Sequence, residues 1–204
     1  ATYADTAIHS VAVIIAVVDA AQTETVLFGP GGLHERLGPG HTVLLCPTIS
    51  PEDVERFADR LKLQGVSVID APMSGGPARA RDGSMSLMLA APDAVMTANA
   101  ALLQALSHQR FHVSQRVGDG ARTKLVNNLL AGINLVGAAE ALAMAQRMGL
   151  NLATTLSVIE QSSGQSWIGS DRMRRVLANG GEGDYAPRAH MTLLQKDTSF
   201  VQVQ

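Results

Sequence analysis

The sequence is short of several features, and each shortage excludes a class of protein. The 204 residues include one cysteine, Cys46, which excludes an internal disulfide. The formal net charge is −2 and no basic block stands out, so we expect neither a nucleic-acid partner nor a membrane-surface partner. No uninterrupted apolar run reaches the roughly 18–20 residues of a membrane-spanning helix, and no secretory signal is visible. These shortages fit a protein of a reducing, cytoplasmic setting.

What the chain does have is enough apolar sequence to fold. Hydrophobic residues make up 46% and charged residues 17%, which excludes a disordered chain and allows one large or two small domains. Cys46 lies in the apolar run of residues 42–47, where we interpret it as part of the core.

Three short apolar runs predict strands of a parallel sheet. Residues 11–18, 42–47 and 66–70 are rich in β-branched side chains and apolar on both faces, which is typical of strands buried on both sides. Residues 50–65 between them predict a helix, with Ser50 as the N-cap and a glycine as the stop. Strand, helix and strand at this spacing indicate an α/β fold with a Rossmann-type doubly wound sheet.

The second half of the chain changes character. Residues 84–90 and 110–114 predict two further strands, separated by a helix over 92–107. Beyond a boundary near residue 117 the pattern is all helical, which predicts domains at 1–117 and 118–204. The predicted helices are 121–148, 151–162, 167–178 and 190–203. The first of them is rich in alanine and glycine, so we expect a central, well-covered helix.

The stretch "DAPMSGGP" directly follows the predicted strand 66–70. Ligands of open α/β sheets sit beyond the carboxyl ends of the strands, where Ser74 offers a hydroxyl and Gly75 and Gly76 expose backbone N–H groups. Such a turn can form a nest for a carboxylate or phosphate. An ordinary tight turn capped by Asp70 explains the same residues.

The stretch "GDGARTKLVNN" places a lysine in the first turns of the longest predicted helix. Lys124, Asn127 and Asn128 stand at i, i+3 and i+4 and share one helix face. The helix dipole disfavours a cation there, so a partly buried lysine should have a lowered pKa, as a general acid/base requires. A surface lysine beside helix-capping residues is the alternative.

Two further motifs are weaker. Lys196 in "QKD" could reach a cofactor, or could form a solvated charge pair with Asp197. Trp167, the only tryptophan, follows the flexible turn at Gly164 and either walls a pocket or packs in the core.

Together and in this order, these motifs resemble the β-hydroxyacid dehydrogenase family, which includes 3-hydroxyisobutyrate dehydrogenase. The resemblance runs from about residue 11 to the end. It rests on "CPTISPED", "DAPMSGGP", "GDGARTKLVNNLLAG" and "LLQKD", which are similar to the family's S-T-I-S-P, D-A-P-V-S-G-G, G-x-G-x-x-x-K-x-x-N-N and K-D elements.

The resemblance implies hydride transfer between NAD or NADP and a small 3-hydroxyacid, with Lys124 as the general acid/base. The implied substrate-binding residues are Ser74, Gly75, Gly76, Asn127 and Asn128. The implied cofactor-binding residues are Val17, Val18, Gln22, Thr48 and Lys196. A homodimer or homotetramer is usual in the family.

The sequence departs from the family at its beginning. The family's G-x-G-x-x-G turn after the first strand is not found, and "FGPGGLHERLGPG" is interpreted as a loop because it follows a helix-like segment. We therefore expect a partial Rossmann-type sheet that lacks its first part, followed by an all-α domain cut short at its end.

Two other functions stay open. A non-catalytic family member could keep the fold as an interaction or dimerisation module, which the absent glycine-rich turn favours and the intact lysine, serine and asparagines oppose. Imine reduction on the same scaffold is opposed by Lys124, because those relatives usually replace the lysine.

Overall fold

The computed structural model describes residues 2–178, 196–197 and 199–200. They form two compact units. The first contains the described residues up to Val126 together with Ser199 and Phe200, and the second contains the described residues from Asn127 to Asp197. The unit limit lies inside a long helix, whereas the sequence placed the domain boundary near residue 117, which stays a prediction.

The first unit is built on a six-stranded mixed sheet. The strands are β1 Ala12–Ile15, β2 Thr42–Leu45, β3 Ser67–Asp70, β4 Met73–Ser74, β5 Ser86–Ala90 and β6 Gln109–Ser114. β1, β2 and β3 are parallel neighbours, as the apolar runs predicted. β5 pairs antiparallel with β3 and β4 and parallel with β6. The α/β class with a Rossmann-like sheet is confirmed.

Helices connect these strands and make up the second unit. In the first unit they are α1 Tyr3–Ala7, α2 Ala20–Phe28, α3 Pro51–Lys62, α4 Gly76–Arg81, α5 Asp93–Ala98 and α6 Ala100–Leu106. α7, Asp119–Arg147, begins in the first unit and continues into the second, where α8 Leu152–Glu160 and α9 Trp167–Ala178 follow. Most of the helix predicted over 190–203 lies outside the described residues.

Local signals explain where α3 begins and ends. The Ser50 hydroxyl oxygen accepts a hydrogen bond from the backbone N–H of Asp53, and Pro51 is the first helical residue. Gly65 ends the segment with φ +72°, a conformation that favours glycine. The predicted helix over 92–107 is instead two helices that break at Asn99, whose side-chain amide donates to the carbonyl of Val95.

The core of the first unit confirms part of the predicted burial. All four residues of β2 are buried, as is Cys46, and α3 buries Val54, Phe57 and Leu61. β1 differs from its prediction, because Ile14 is 42% exposed. β1 lies at the edge of the described sheet, where one side has no neighbouring strand.

α7 is not the well-covered helix that its small residues suggested. Beyond its first turns it exposes large apolar side chains, among them Val126, Leu130, Ile133 and Val136. The small residues do allow one close approach in the second unit, where Gly169 of α9 faces Ala138 so closely that an added Cβ would lie 2.9 Å from the alanine Cβ. Among the described residues α7 alone is long and apolar enough to span a membrane, a test that core helices of other proteins also pass.

Candidate functional site

Three loops of the first unit leave the same edge of the sheet. β1, β2 and β3 end side by side, since Ile15 pairs with Leu45 and Leu45 pairs with Asp70. Carboxyl ends of adjacent parallel strands are where open α/β sheets bind ligands. Three of the predicted site residues, Val17, Thr48 and Ser74, therefore follow strands that end at one edge.

The loop after β1 is closed by its own side chains. The backbone N–H of Val18 donates to Oε1 of Gln22 at 3.1 Å, and the Asp19 carboxylate caps α2 by accepting from the backbone N–H of Gln22. Val17 packs on the core, whereas Val18 is exposed. By contrast, the stretch "FGPGGLHERLGPG" follows α2 and includes a 3-10 turn over Leu33–Glu35, so its interpretation as a loop is confirmed.

The loop after β3 makes the tight turn that the sequence allowed. Ser74 ends β4, and Gly75 and Gly76 follow with φ +132° and +69°. A Cβ on Gly75 would also lie 2.8 Å from the Cβ and Cδ of Arg79. The backbone here therefore requires glycine, and binding of an anion by the turn stays a prediction.

Asp70 does not cap that turn but holds the start of α7. Its Oδ2 accepts backbone hydrogen bonds from Gly118 at 3.0 Å and Ala121 at 2.9 Å, and the backbone N–H of Gly120 also bonds to the carboxylate. A Cβ on Gly120 would lie 2.8 Å from this Oδ2 and 2.7 Å from the carbonyl oxygen of Met88. The second glycine of "GDG" is thus needed for the close approach of helix and strand.

The anchored first turns of α7 bury Lys124. The lysine is 8% exposed, and its neighbours Ala121 and Leu125 are buried as well. The alternative of a surface lysine is therefore wrong.

In the second unit, the asparagines and the later lysine meet at a buried carboxylate. Asn128 donates from Nδ2 to Oδ2 of Asp197 at 2.7 Å and accepts at Oδ1 from Asn127. Lys196 Nζ lies 3.1 Å from Oδ1 of Asp197. The charge pair that the sequence allowed between Lys196 and Asp197 is therefore present, but it is not fully solvated, because Asp197 is buried and Lys196 is partly buried. Asn127 itself is exposed.

Burial perturbs two titratable groups at the sheet edge. Loss of water raises the pKa of Asp70 to about 6, although its backbone hydrogen bonds oppose the shift and the nearby charge of Asp119 adds to it. Burial, with the charge of Asp70 as a smaller cause, raises the pKa of the Cys46 thiol to about 12. Cys46 is therefore a neutral core thiol at physiological pH.

Trp167 is not a core residue. Its side chain is 54% exposed and lines an open cavity of about 540 Å³ in the second unit, between α8 and α9. The rim is charged, with Arg174 paired to Glu160 and Arg175 paired to Asp171.

Two buried carboxylates, Asp70 and Asp197, were not recognised from the sequence. Asp70 was assigned a local role as the cap of a turn, and Asp197 was considered only as a partner of Lys196. In each case a carboxylate ends up buried against residues 48 to 69 positions away, a pairing that no spacing rule reveals. For Asp70 the usable signal was an acidic residue at the end of an apolar strand, since an acid is rarely buried without a partner, whereas the polar segment around Asp197 gave no such signal.

Two family models match successive parts of the chain. Residues 1–115 match the family model of the NAD binding domain of 6-phosphogluconate dehydrogenase, and residues 118–203 match the model described as NAD-binding of NADP-dependent 3-hydroxyisobutyrate dehydrogenase. The chain belongs to the β-hydroxyacid dehydrogenase family.

Individual members of this family are similar over most of the chain. L-threonate dehydrogenase of Escherichia coli O6:H1 is 34% identical over 93% of the chain, and 3-hydroxyisobutyrate dehydrogenase of Pseudomonas aeruginosa is 34% identical over 76%. The chain spans 62% and 52% of these two relatives. A crystal structure of 3-hydroxyisobutyrate dehydrogenase from Salmonella typhimurium superposes with a TM-score of 0.87 at 33% identity, covering 99% of this chain and 69% of that one.

Proposed function

We propose that this member of the β-hydroxyacid dehydrogenase family transfers a hydride between NAD or NADP and a small 3-hydroxyacid, with Lys124 as the general acid/base. The observation that supports the proposal most is the position of Lys124. It is 8% exposed, near the amino end of α7, on the part of the helix held against the end of β3.

The chemistry assigned to Lys124 is a proton transfer at Nζ. In the oxidation direction the neutral amine accepts the proton of the substrate hydroxyl while the hydride leaves the same carbon. In the reduction direction the ammonium donates that proton to the developing alkoxide. Burial supports this role because the proton then moves between Lys124 and the substrate away from bulk water.

The substrate carboxylate is proposed to bind at Ser74, Gly75 and Gly76. The turn presents a hydroxyl and glycine backbone without side chains, at the sheet edge from which α7 also starts. Asn127 and Asn128, one turn after Lys124 on the same helix, are proposed to hydrogen-bond the substrate. Asp197 fixes the Asn128 amide, because it accepts one of that amide's N–H groups.

The first unit fits a dinucleotide at its carboxyl edge. The loops after β1 and β2 end at helices whose amino termini face that edge, an arrangement that suits phosphate. Val17, Val18, Gln22 and Thr48 are the residues of these loops proposed to contact it, with Lys196 as a further contact. When bound, the nicotinamide supplies the hydride acceptor or donor.

The experiment that tests this function is a substrate scan. The chain is incubated with NAD or NADP and with 3-hydroxyisobutyrate, glycerate or threonate, and nicotinamide reduction is followed by absorbance. We expect turnover with at least one pair, and a loss of about a thousandfold or more in Lys124→Ala, since general acid/base catalysis and alkoxide stabilisation are both removed. Lys62→Ala, an exposed lysine at the end of α3, is the matched control. Undiminished turnover in Lys124→Ala would refute the assignment.

A further inference from the structure

The carboxylate of Asp70 is a buried titratable group to which the proposed reaction gives no role. It is 1% exposed and surrounded by core residues of β2, β3 and β5. Its polar partners are the backbone N–H groups at the start of α7. Burying an acid is costly unless hydrogen bonds compensate, and here the compensating hydrogen bonds come from the backbone at the start of α7.

Asp70 is connected to two residues of the candidate site, Ser74 and Lys124. Ser74 follows four residues later on the same chain segment, and Lys124 lies on the helix whose first turn binds the carboxylate. We propose that Asp70 is a positioning residue: its carboxylate fixes the first turn of α7 to the end of β3 and thereby sets Lys124 relative to the turn at Ser74–Gly76. The catalytic meaning of this placement rests on the proposed function of Lys124, but the placement itself does not.

The ion pairs at the start of α7 contribute less than the hydrogen bonds to Asp70. Arg122 pairs with Glu55 of α3 at 2.8 Å, but both side chains are about one third exposed, and such pairs contribute little. Asp119 pairs with Arg116 on the exposed side of the same turn. Asp70 binds the backbone at the start of α7 from inside the unit, and Gly120 leaves the room it needs.

The test compares two variants of Asp70 with two controls. Asp70→Ala removes the acceptor, and Asp70→Asn keeps the side-chain shape and one oxygen that can accept. Asp119→Asn removes a negative charge from the same helix start without touching the buried contact. Leu103→Ala, at a buried position of α6 in a core cluster that includes no residue of α7, lowers overall stability.

Two readouts need neither substrate nor cofactor. The first is hydrogen exchange of the backbone amides of residues 118–121. The second is competitive chemical labelling of Lys124 against the exposed Lys62, read by mass spectrometry at one fixed pH for all variants, so that a change in the ratio reports a change in the surroundings of Lys124.

If Asp70 positions Lys124, Asp70→Ala speeds exchange at 118–121 by roughly tenfold or more and raises the Lys124 labelling ratio by roughly fivefold, because several hydrogen bonds to one anchor are lost. Asp70→Asn shows the same changes to a smaller degree, and both controls leave the labelling ratio unchanged. An unchanged ratio in both Asp70 variants, or an equal rise in Leu103→Ala, overturns the proposal.

The outcomes separate this inference from the proposed function. Full turnover in Lys124→Ala, combined with altered labelling in Asp70→Ala, refutes the acid/base role and leaves the positioning role standing. Loss of turnover in Lys124→Ala, combined with unaltered labelling in the Asp70 variants, supports the acid/base role and refutes the positioning role.

Discussion

At the residue scale, the candidate site depends on polar groups that the fold removes from water. Lys124, Asp70 and Asn128 are all buried, although they belong to residue types that usually face solvent. The Asp70 carboxylate accepts a hydrogen bond from the backbone of Ala121, and the Asn128 amide donates one to Asp197. Single substitutions at these positions can therefore distinguish an effect on substrate binding from an effect on turnover. They can also distinguish the effect of a side chain's charge from the effect of its shape.

Ser74→Ala should weaken substrate binding more than turnover. The hydroxyl is proposed to hydrogen-bond the substrate carboxylate, and a bond to a charged group contributes about 1.5–3 kcal/mol, which corresponds to a rise in KM of about tenfold or more. The change in kcat should be smaller, because the carboxylate is remote from the reacting carbon. Steady-state kinetics of the variant, with the exposed Ser157→Ala of α8 as a control, measure the split. An unchanged KM would argue against the carboxylate site.

The buried Asp70 should make stability depend on pH in a defined direction. Its folded pKa of about 6 is above the ordinary value of 3.8, so the protonated acid is the form that folding favours. The stabilisation it gives is complete below about pH 3.8 and is lost as the pH rises through about 6. Relative to Asp70→Asn, the free energy of unfolding should therefore fall by up to about 3 kcal/mol over this window.

Denaturant titrations of both proteins at several pH values measure this difference. The surface carboxylates whose pKa values are lowered by hydrogen bonds, such as Asp5, Glu160 and Asp82, act in the opposite direction, but they are common to both proteins and cancel. A difference that is constant with pH, or that grows as the pH rises, would contradict the buried-acid explanation.

At the element scale, the first turns of α7 and its later turns differ in what surrounds them. The start of the helix is fixed to the sheet, whereas its continuation in the second unit leaves open space around Gly132. Glycines at the two places should consequently respond in opposite ways to the same added methyl group.

Gly120→Ala should be strongly destabilising and Gly132→Ala slightly stabilising. A new Cβ at position 120 would lie 2.8 Å from an Asp70 oxygen and 2.7 Å from the Met88 carbonyl oxygen. Apart from the neighbouring backbone of the helix itself, no atom of the described residues lies within 4 Å of a new Cβ at position 132. We expect a loss of about 2–4 kcal/mol for the first and a gain of about 0.5–1 kcal/mol for the second, the usual helix preference of alanine over glycine. Thermal and denaturant unfolding of the pair check both signs, and a tolerated Gly120→Ala would show that helix and strand are not held so close.

At the scale of the whole molecule, the exposed apolar side of α7 favours self-association. Leu130, Ile133 and Val136 follow at helical spacing and are exposed together, and apolar stripes of this kind usually mark an interaction surface. The homo-oligomer inferred from the sequence stays a prediction, and this stripe is the surface we expect it to use.

Ile133→Glu should reduce the oligomer to a monomer. A charge in the middle of a buried apolar interface would lose its hydration, which costs several kcal/mol. Light scattering after size-exclusion chromatography measures the mass, with Gln146→Glu on an exposed, already polar position of α7 as the control. A wild-type protein that is monomeric at micromolar concentration would show that the stripe has another use.

The sequence by itself determined the elements and their class. Ser50, Pro51 and Gly65 placed the ends of α3, and the apolar runs placed β2 and β3 within one or two residues, because caps, turns and periodicity act over a few neighbours. The paired motifs "DAPMSGGP" and "TKLVNN" also indicated the family, which the comparisons confirmed. The short β4 and the break at Asn99 were missed, because both depend on partners elsewhere in the sheet.

The tertiary structure alone decided which polar residues are buried and which apolar residues are not. Asp70 reaches the start of α7 across about fifty positions of sequence, and Asn128 reaches Asp197 across 69. Ile133 and Trp167, apolar by type, lie exposed instead. The physical reason is that burial is a property of the packed chain: a side chain loses water only when distant segments cover it, and no local pattern specifies which segments those are.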